Sequence, residues 1–227
     1  MRYMLKFTKE EVIKFTSHLD MVRMFKRAFQ RSGIRLVFSA GFNPHPKMTL
    51  AQPLSLGYTS VGEWIEFETV NDLTPDEVRI SLASVLPPGI KILEISGMSP
   101  EEKSLASRCY AAEYTIAMYL DNIETNQPNL TERFMTFPNA EDYLSQSSII
   151  VNKKSIKHKN SVEVDIKPMI HYMNICLVDN NIFISTELAA GSNQNLSPEL
   201  LIESLTSFYG FSVPRETIEI LRTDILL

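Results

Sequence analysis

The order of predicted helices and strands in the first 96 residues constrains the fold of this chain more than any other feature. Ser17 with Asp20 at the third helical position forms a capping-box pattern, and Gly33 is the residue type that ends helices. A helix is therefore predicted over residues 18–32, and a second one over residues 75–85. The predicted strands are residues 3–8 with 11–16 (one strand or two), 35–39, 63–69 and 90–95. The resulting order, β-α-β-β-α-β, is that of the ferredoxin-like split βαβ arrangement.

The second half of the chain has a similar order of elements but no clear repeat of the sequence. The predicted strands there are residues 113–120, 148–152, 161–166, 174–178, 182–187 and 217–223, with helices over 140–146 and 198–209. We therefore predict an α+β protein made of two ferredoxin-like (split βαβ) halves packed together. Residues 1–96 form the first half, residues 97–110 a linker, and residues 111–227 the second half.

Positive charge is concentrated near the start of an otherwise acidic chain. Residues 1–60 contain ten Lys/Arg and three Asp/Glu, a balance of +7, whereas the whole chain carries −5. Arg23, Arg27 and Arg31 recur every fourth residue, so they share one stripe of the predicted helix. Guanidinium groups match phosphate oxygens in a bidentate geometry, which makes this stripe a candidate for binding RNA or another anion. The alternative is a solvated helix face on which Asp20 pairs with Arg23 or Arg27.

A proline-rich loop with the sequence GFNPHP occupies residues 41–46. Its two prolines lack an N–H donor and bias the residues before them toward extended geometry. Such a loop holds Asn43 and His45 in fixed directions, so we assign both, with Lys47, to the candidate RNA- or anion-binding surface. Phe42 is a candidate for stacking on a base. The alternative is a rigid corner between two strands.

His18 and His45 are the candidate catalytic residues. If the two imidazoles converge, they could cleave RNA by acid–base chemistry without a metal. Together with Asp20 or Glu63 they could hold a metal instead, but the spacing matches no standard site, so no metal is predicted. A purely structural role for His18, neutral at the positive end of a helix, is the alternative.

Missing motifs exclude several classes of protein. Cys109 and Cys176 stand alone, so the sequence lacks the closely spaced cysteines of an iron–sulfur site. The dinucleotide, P-loop, zincin and hydrolase signatures do not occur either. No apolar run approaches the ~20 residues that span a bilayer, and the first residues are too charged for a signal peptide. We expect a cytoplasmic protein that binds no cofactor and no membrane; its oligomeric state is left open.

A longer set of spaced residues resembles a known family. The set comprises Ser17-His18-Leu19-Asp20, Arg23, Arg27, Gly33, Ser39-x-Gly41-Phe42-Asn43-Pro44-His45-Pro46, Pro53-Leu54-x-x-Gly57, Ser60-x-Gly62-Glu63, Val164-Asp165-Ile166-Lys167-Pro168 and Arg222. It resembles the radical SAM-linked family, a bacterial domain of unknown function whose members are fused to, or encoded beside, cobalamin-type radical SAM proteins. The resemblance covers nearly the whole chain, although Lys167 stands where Arg is more usual.

The resemblance implies a radical SAM protein as partner. Any S-adenosylmethionine, iron–sulfur cluster or cobalamin would then belong to that partner and not to this chain. Genes of the family often lie near those for a ribonuclease of the E/G class and for ribosomal proteins, which associates it with RNA.

Three functions remain open at this point. The favoured one is a non-catalytic accessory protein that binds RNA (tRNA or rRNA) through its basic N-terminal face and presents it to a radical SAM enzyme. The second is a metal-independent endoribonuclease of the ferredoxin-like RNA-processing type. The third is a pure protein–protein adaptor.

Overall fold

A computed structural model describes residues 1–120, 140–154, 161–179 and 181–227. The chain divides into two units. Unit 1 comprises Met1–Tyr110 together with Leu221–Leu227, and unit 2 comprises Ala111–Ile220. Residues 121–139, 155–160 and 180 of the predicted second half lie outside the described residues.

Unit 1 is built on a mainly antiparallel sheet. Its elements are β1 (Arg2–Lys9), a 3-10 helix (Glu11–Phe15), α1 (His18–Arg31), β2 (Met48–Leu50), β3 (Thr59–Glu68), α2 (Pro75–Ala83), β4 (Ile92–Met98), α3 (Leu105–Arg108) and the end of β10 (Ile218–Leu226). The central strand β1 pairs antiparallel with β3 on one side and β4 on the other, and β2 pairs antiparallel with β3. At the start of β3, Thr59 and Ser60 pair in parallel with Leu221 and Arg222 of β10.

Helix α1 begins and ends where its capping residues predict. The Ser17 hydroxyl accepts a hydrogen bond from the Asp20 amide at 3.2 Å, and Gly33 adopts a φ of 76° just after the last turn. The apolar face of α1 packs on the sheet: Phe25 meets Phe7 edge-on, with ring centroids 4.8 Å apart. This packing directs the opposite, charged face of the helix to solvent.

Two predicted strands of unit 1 are wrong. Glu11–Phe15 form the 3-10 helix in place of a strand, and Glu11 has a φ of 50°, outside the extended region that a β-strand requires. In the segment 35–39, Leu36 and Phe38 make only isolated bridges, to Thr69 and Pro46. Proline cannot donate to a ladder, so pairing against this segment does not extend. Residues 97–110, predicted as a linker, belong to unit 1 and contain α3.

Unit 2 contains three neighbouring antiparallel strands and a separate hairpin. Its elements are β5 (Ala111–Met118), α4 (Glu141–Leu144), β6 (Ile150–Lys154), β7 (Ser161–Asp165), a 3-10 helix (Lys167–Met169), β8 (Ile170–Val178), β9 (Asn181–Ala189), α5 (Pro198–Tyr209), a 3-10 helix (Arg215–Thr217) and the start of β10. Strand β9 pairs antiparallel with both β5 and β8, and β6 pairs with β7.

The protein is thus of the mixed α+β class, with more strand than helix among the described residues, as predicted. Across the part of the chain that the structure covers, no helix is long and apolar enough to cross a membrane.

Candidate functional site

Three arginines project from the solvent side of α1. We call Arg23, Arg27 and Arg31 the α1 basic face; all three are exposed. An Arg23 Nη1 donates to Asp20 Oδ1 at 2.8 Å, and an Arg31 Nη2 donates to the Val85 carbonyl at 2.7 Å. Within the described residues Arg27 makes no hydrogen bond or ion pair. Each guanidinium therefore keeps donors directed to water, which is what recognition of an anion requires.

The α1 basic face lines an open depression of ≈ 450 Å³, to which Met24 and Pro87 contribute the apolar part. Asp20 lies at its edge, and hydrogen bonds from Ser17 and then Arg23 lower the pKa of its carboxyl group. Asp20 is therefore ionised near neutral pH and offsets much of the charge of Arg23. Arg27 and Arg31 carry the positive charge that remains available to a ligand.

The GFNPHP segment forms a narrow hairpin rather than a loose loop. We call residues 38–46 the GFNPHP hairpin. The Ser39 amide donates to the His45 carbonyl at 2.8 Å, and the His45 amide donates to the Ser39 hydroxyl at 3.0 Å. Because the backbone of His45 is held on both sides, its side chain and that of Asn43 extend into solvent in defined directions.

Lys47 follows the hairpin and is already paired. Its Nζ lies 2.8 Å from Glu68 Oε2, and the two side chains are 46% and 32% exposed. An anion would have to compete with this carboxylate, so Lys47 contributes less to the predicted surface than its charge suggests.

His18 and His45 lie on different elements of unit 1, α1 and the GFNPHP hairpin. His18 is the first residue of α1, and the 14-residue helix separates it from Arg31 by about 20 Å. The GFNPHP hairpin follows the other end of the helix, and its base is anchored to β3 through the bond from the Val37 amide to the Glu68 carbonyl. No hydrogen bond joins the two imidazoles among the described residues, and their convergence stays a prediction. The Nδ1 atom of His18 is buried without a hydrogen-bond partner among the described residues.

A buried ion pair is the largest polar feature that the sequence did not reveal. Arg222 and Glu63 are 1% and 5% exposed and bind in a bidentate manner, with Nε–Oε1 and Nη2–Oε2 distances of 2.7 and 2.6 Å. The remaining donors of Arg222 reach the carbonyls of Pro53 at 3.2 Å and Gln52 at 3.1 Å. At least four of the five N–H donors of the Arg222 guanidinium are thereby engaged, which offsets much of the cost of burying the charge.

The residues around this ion pair explain much of the Ser60-x-Gly62-Glu63 element. The Ser60 hydroxyl donates to the Arg222 carbonyl at 3.0 Å and accepts from the Gly62 amide at 3.1 Å. A Cβ atom at position 62 would collide with the backbone of Thr223 and Asp224. Glycine is therefore required there for β10 to lie beside β3. These motif residues hold unit 1 together and do not form a solvent-facing site.

Lys9 lies close to the same ion pair. Its side chain is buried, with no hydrogen bond or ion pair in the part of the chain that is described. Burial lowers the pKa of its ammonium group, while the Glu63 carboxylate raises it in part and Arg222 adds to the lowering. Burial likewise raises the pKa of the nearby Cys109 thiol. Among the described residues, no group of three or more His, Cys, Asp or Glu side chains converges as a metal site would require.

Fold and site together define an α+β protein with an arginine-lined helix face and a rigid, exposed hairpin. A family model described as "Uncharacterized protein conserved in bacteria (DUF2344)" matches residues 2–198, and the chain belongs to this family. A search of curated proteins found no match.

Comparison with solved structures shows a similarity in fold. A chain in the crystal structure of a Cbf5–Nop10–Gar1 complex superposes with a TM-score of 0.51 and 11% identity, covering 98% of this chain but 48% of that one. This chain thus spans about half the length of that neighbour, and the similarity concerns the fold alone. An unknown protein from Galdieria sulphuraria, with 13% identity over 100% of this chain and 98% of its own, reaches a TM-score of 0.23 and carries no argument.

Proposed function

We propose that the protein is a non-catalytic accessory protein that binds RNA, tRNA or rRNA, through the α1 basic face and presents it to a radical SAM enzyme. The observation that carries the RNA part is the exposure of three arginines along one face of α1, with Arg27 uncompensated and a depression beside them. Regularly spaced guanidinium groups on a rigid helix suit a chain of phosphates. The radical SAM part rests on the motif resemblance, and the cofactors would be bound by that partner.

We also propose that unit 1 is one of two ferredoxin-like halves. Its strand order β4-β1-β3-β2, with every neighbouring pair antiparallel and a helix after β1 and β3, supports this assignment. Such a sheet leaves α1 and α2 on one face, so the charged side of α1 is open to a large ligand.

The test is RNA binding at two salt concentrations. If the three arginines each neutralise one phosphate, affinity falls about 20- to 40-fold between 50 and 200 mM salt. Arg23→Glu with Arg27→Glu abolishes binding because it replaces attraction with repulsion. The matched control, Lys103→Glu with Lys153→Glu, makes the same change in net charge at exposed positions elsewhere and binds normally. Equal binding by both double variants would contradict the proposal.

Recovery of the bound RNA tests the non-catalytic part. We expect its ends to be unchanged after incubation with the purified protein. Defined new ends that disappear in His18→Ala would instead favour the endoribonuclease, with His18 and His45 as its candidate catalytic residues.

A second candidate function, a protein–protein adaptor, is favoured by an exposed apolar patch. Val12, Phe15 and Leu19 are 74%, 67% and 64% exposed and lie on the 3-10 helix and the first turn of α1. Contiguous apolar side chains in water are typical of protein-binding surfaces. Phe15→Glu with Leu19→Glu should then prevent co-purification with a radical SAM partner, whereas Ile80→Glu, 71% exposed on α2, should not. If RNA binding by the adaptor variant is unchanged, the two surfaces act separately.

A further inference from the structure

We propose that the tip of the GFNPHP hairpin is a second RNA contact, at which Phe42 stacks on an unpaired base. The inference rests on the proposed RNA binding and deepens it, because it specifies single-stranded RNA, or an unpaired loop, as the ligand. A base within a continuous duplex cannot offer its face to a side chain, whereas an unpaired base can.

The exposure of Phe42 is the first observation. Its relative exposure of 113% exceeds that of any other large apolar residue among those described. A phenylalanine ring in this position gains nothing from the core of unit 1, and both of its faces are open to water. A flat apolar ligand could cover either face without displacing any protein group.

The rigidity of the mount is the second observation. The hairpin is closed by reciprocal bonds between Ser39 and His45, by the bridge from Phe38 to Pro46, and by the Lys47 amide, which donates to the Val37 carbonyl at 2.8 Å. Pro44 and Pro46 further restrict the backbone. Little conformational freedom remains to be lost when a ligand binds, which favours affinity at a small contact.

The turn before Phe42 depends on glycine. Gly41 has a φ of 122°, a conformation that other residues rarely adopt, and no atom crowds the position where a Cβ would lie. Glycine is therefore favoured at position 41 by its φ angle and not by a lack of space for a side chain. This bend places Phe42 at the far tip of the hairpin instead of folding it back on the sheet.

The chemistry around the ring favours a base over a protein surface. Asn43 and His45 are exposed beside it, and neither side chain makes a hydrogen bond within the described residues. An amide and an imidazole can donate to and accept from base edges. A protein partner would bury a wider apolar area, but Phe38 at 48% exposure is the only other large apolar side chain exposed in the hairpin as described.

The experiment compares one RNA oligonucleotide as a single strand and as a blunt duplex, using the full-length protein. Phe42→Ala should weaken binding of the single strand about 5- to 150-fold, the range expected for one stacked base, and change duplex binding little. Phe42→Tyr, which keeps an aromatic face, should restore most of the affinity. Tyr110→Ala, which removes another exposed ring in unit 1, is the matched control and should bind normally.

The outcomes separate this inference from the proposed function. If Phe42→Ala binds the single strand as well as the wild type does, while Arg23→Glu with Arg27→Glu does not bind, the stacking contact is refuted and the RNA-binding proposal stands. Equal losses on single strand and duplex would also refute stacking. If the wild-type protein binds neither RNA at 50 mM salt, both proposals fail.

Discussion

Arg222 and Glu63 bind each other where almost no water reaches either side chain. Burying the two charges costs their hydration energy. The bidentate contact and the bonds from the remaining donors of Arg222 to backbone carbonyls offset that cost. The pair therefore specifies where β10 lies against β3 more than it adds net stability. Removing one partner is costly, because the other charge stays buried alone.

Arg222→Met should lower the free energy of unfolding by about 3–5 kcal/mol, since it strands the Glu63 carboxylate. Adding Glu63→Leu should recover much of this loss, because no buried charge then remains. Urea denaturation monitored by circular dichroism measures both. The control is Lys6→Met, which breaks the partly buried pair of Lys6 and Asp224, 19% and 33% exposed, and should cost about 1 kcal/mol, less than the loss of Arg222. A double variant less stable than Arg222→Met alone would contradict this account.

Lys9 should destabilise the folded protein near neutral pH. Its pKa is lowered by burial, so between that pKa and the unfolded value of 10.5 the unfolded state binds more protons, and stability rises with pH. Below the folded pKa the full cost of burying the charge is present. Lys9→Met should therefore be more stable than wild type at pH 7, and the difference should shrink as pH approaches 10.5. A difference that is constant from pH 7 to 10.5 would show that Lys9 is solvated in the folded state.

At the scale of elements, predictions that depend on signals within one turn succeeded, and predictions that depend on pairing partners elsewhere in the chain failed. Helix α1 was predicted almost to the residue because its cap and its terminal glycine act within one turn. Residues 35–39 have the composition of a strand, but their neighbours along the chain include prolines that cannot complete a ladder. The buried pair was not predictable, since 159 residues separate Glu63 from Arg222 and no local pattern links them.

Removing the cap of α1 should have a measurable effect on the element that bears the basic face. Ser17→Ala leaves the Asp20 amide without its acceptor and should cost about 1 kcal/mol of unfolding free energy, whereas Ser17→Gly should cost only a few tenths. Thermal and urea unfolding of both variants provide the measurement. No measurable loss in Ser17→Ala would mean that the Ser17 hydroxyl contributes nothing as a cap.

At the scale of the whole molecule, the first unit is completed by the last residues of the chain. Leu221–Leu227 belong to unit 1, and within this segment Arg222 supplies the only partner of the Glu63 carboxylate among the hydrogen bonds and ion pairs of the described residues. During synthesis, more than a hundred residues are therefore added after Tyr110 before the segment that completes unit 1 is made. Contacts of such long range close large loops, which makes folding slow and exposes unfinished surfaces.

This topology predicts that residues 1–110 do not form a stable domain alone. The fragment should unfold without a sharp transition, because Glu63 is buried unpaired and β3 has lost a neighbour. Joining residue 110 to residues 221–227 through a flexible linker should restore cooperative unfolding. The Tyr110 amide bonds to the Leu226 carbonyl, so the linker must reach back five strand residues, about 17 Å, and twelve Gly/Ser residues suffice.

The decisive control is the linked fragment that carries Arg222→Met, which has the strand but not the guanidinium group. If it unfolds as cooperatively as the linked parent, backbone pairing by β10 is what completes unit 1. If it behaves like the bare fragment, the Arg222–Glu63 ion pair is responsible, as we expect from its burial. The charge carried by a residue near one end of the chain would then determine whether the unit bearing the α1 basic face folds at all.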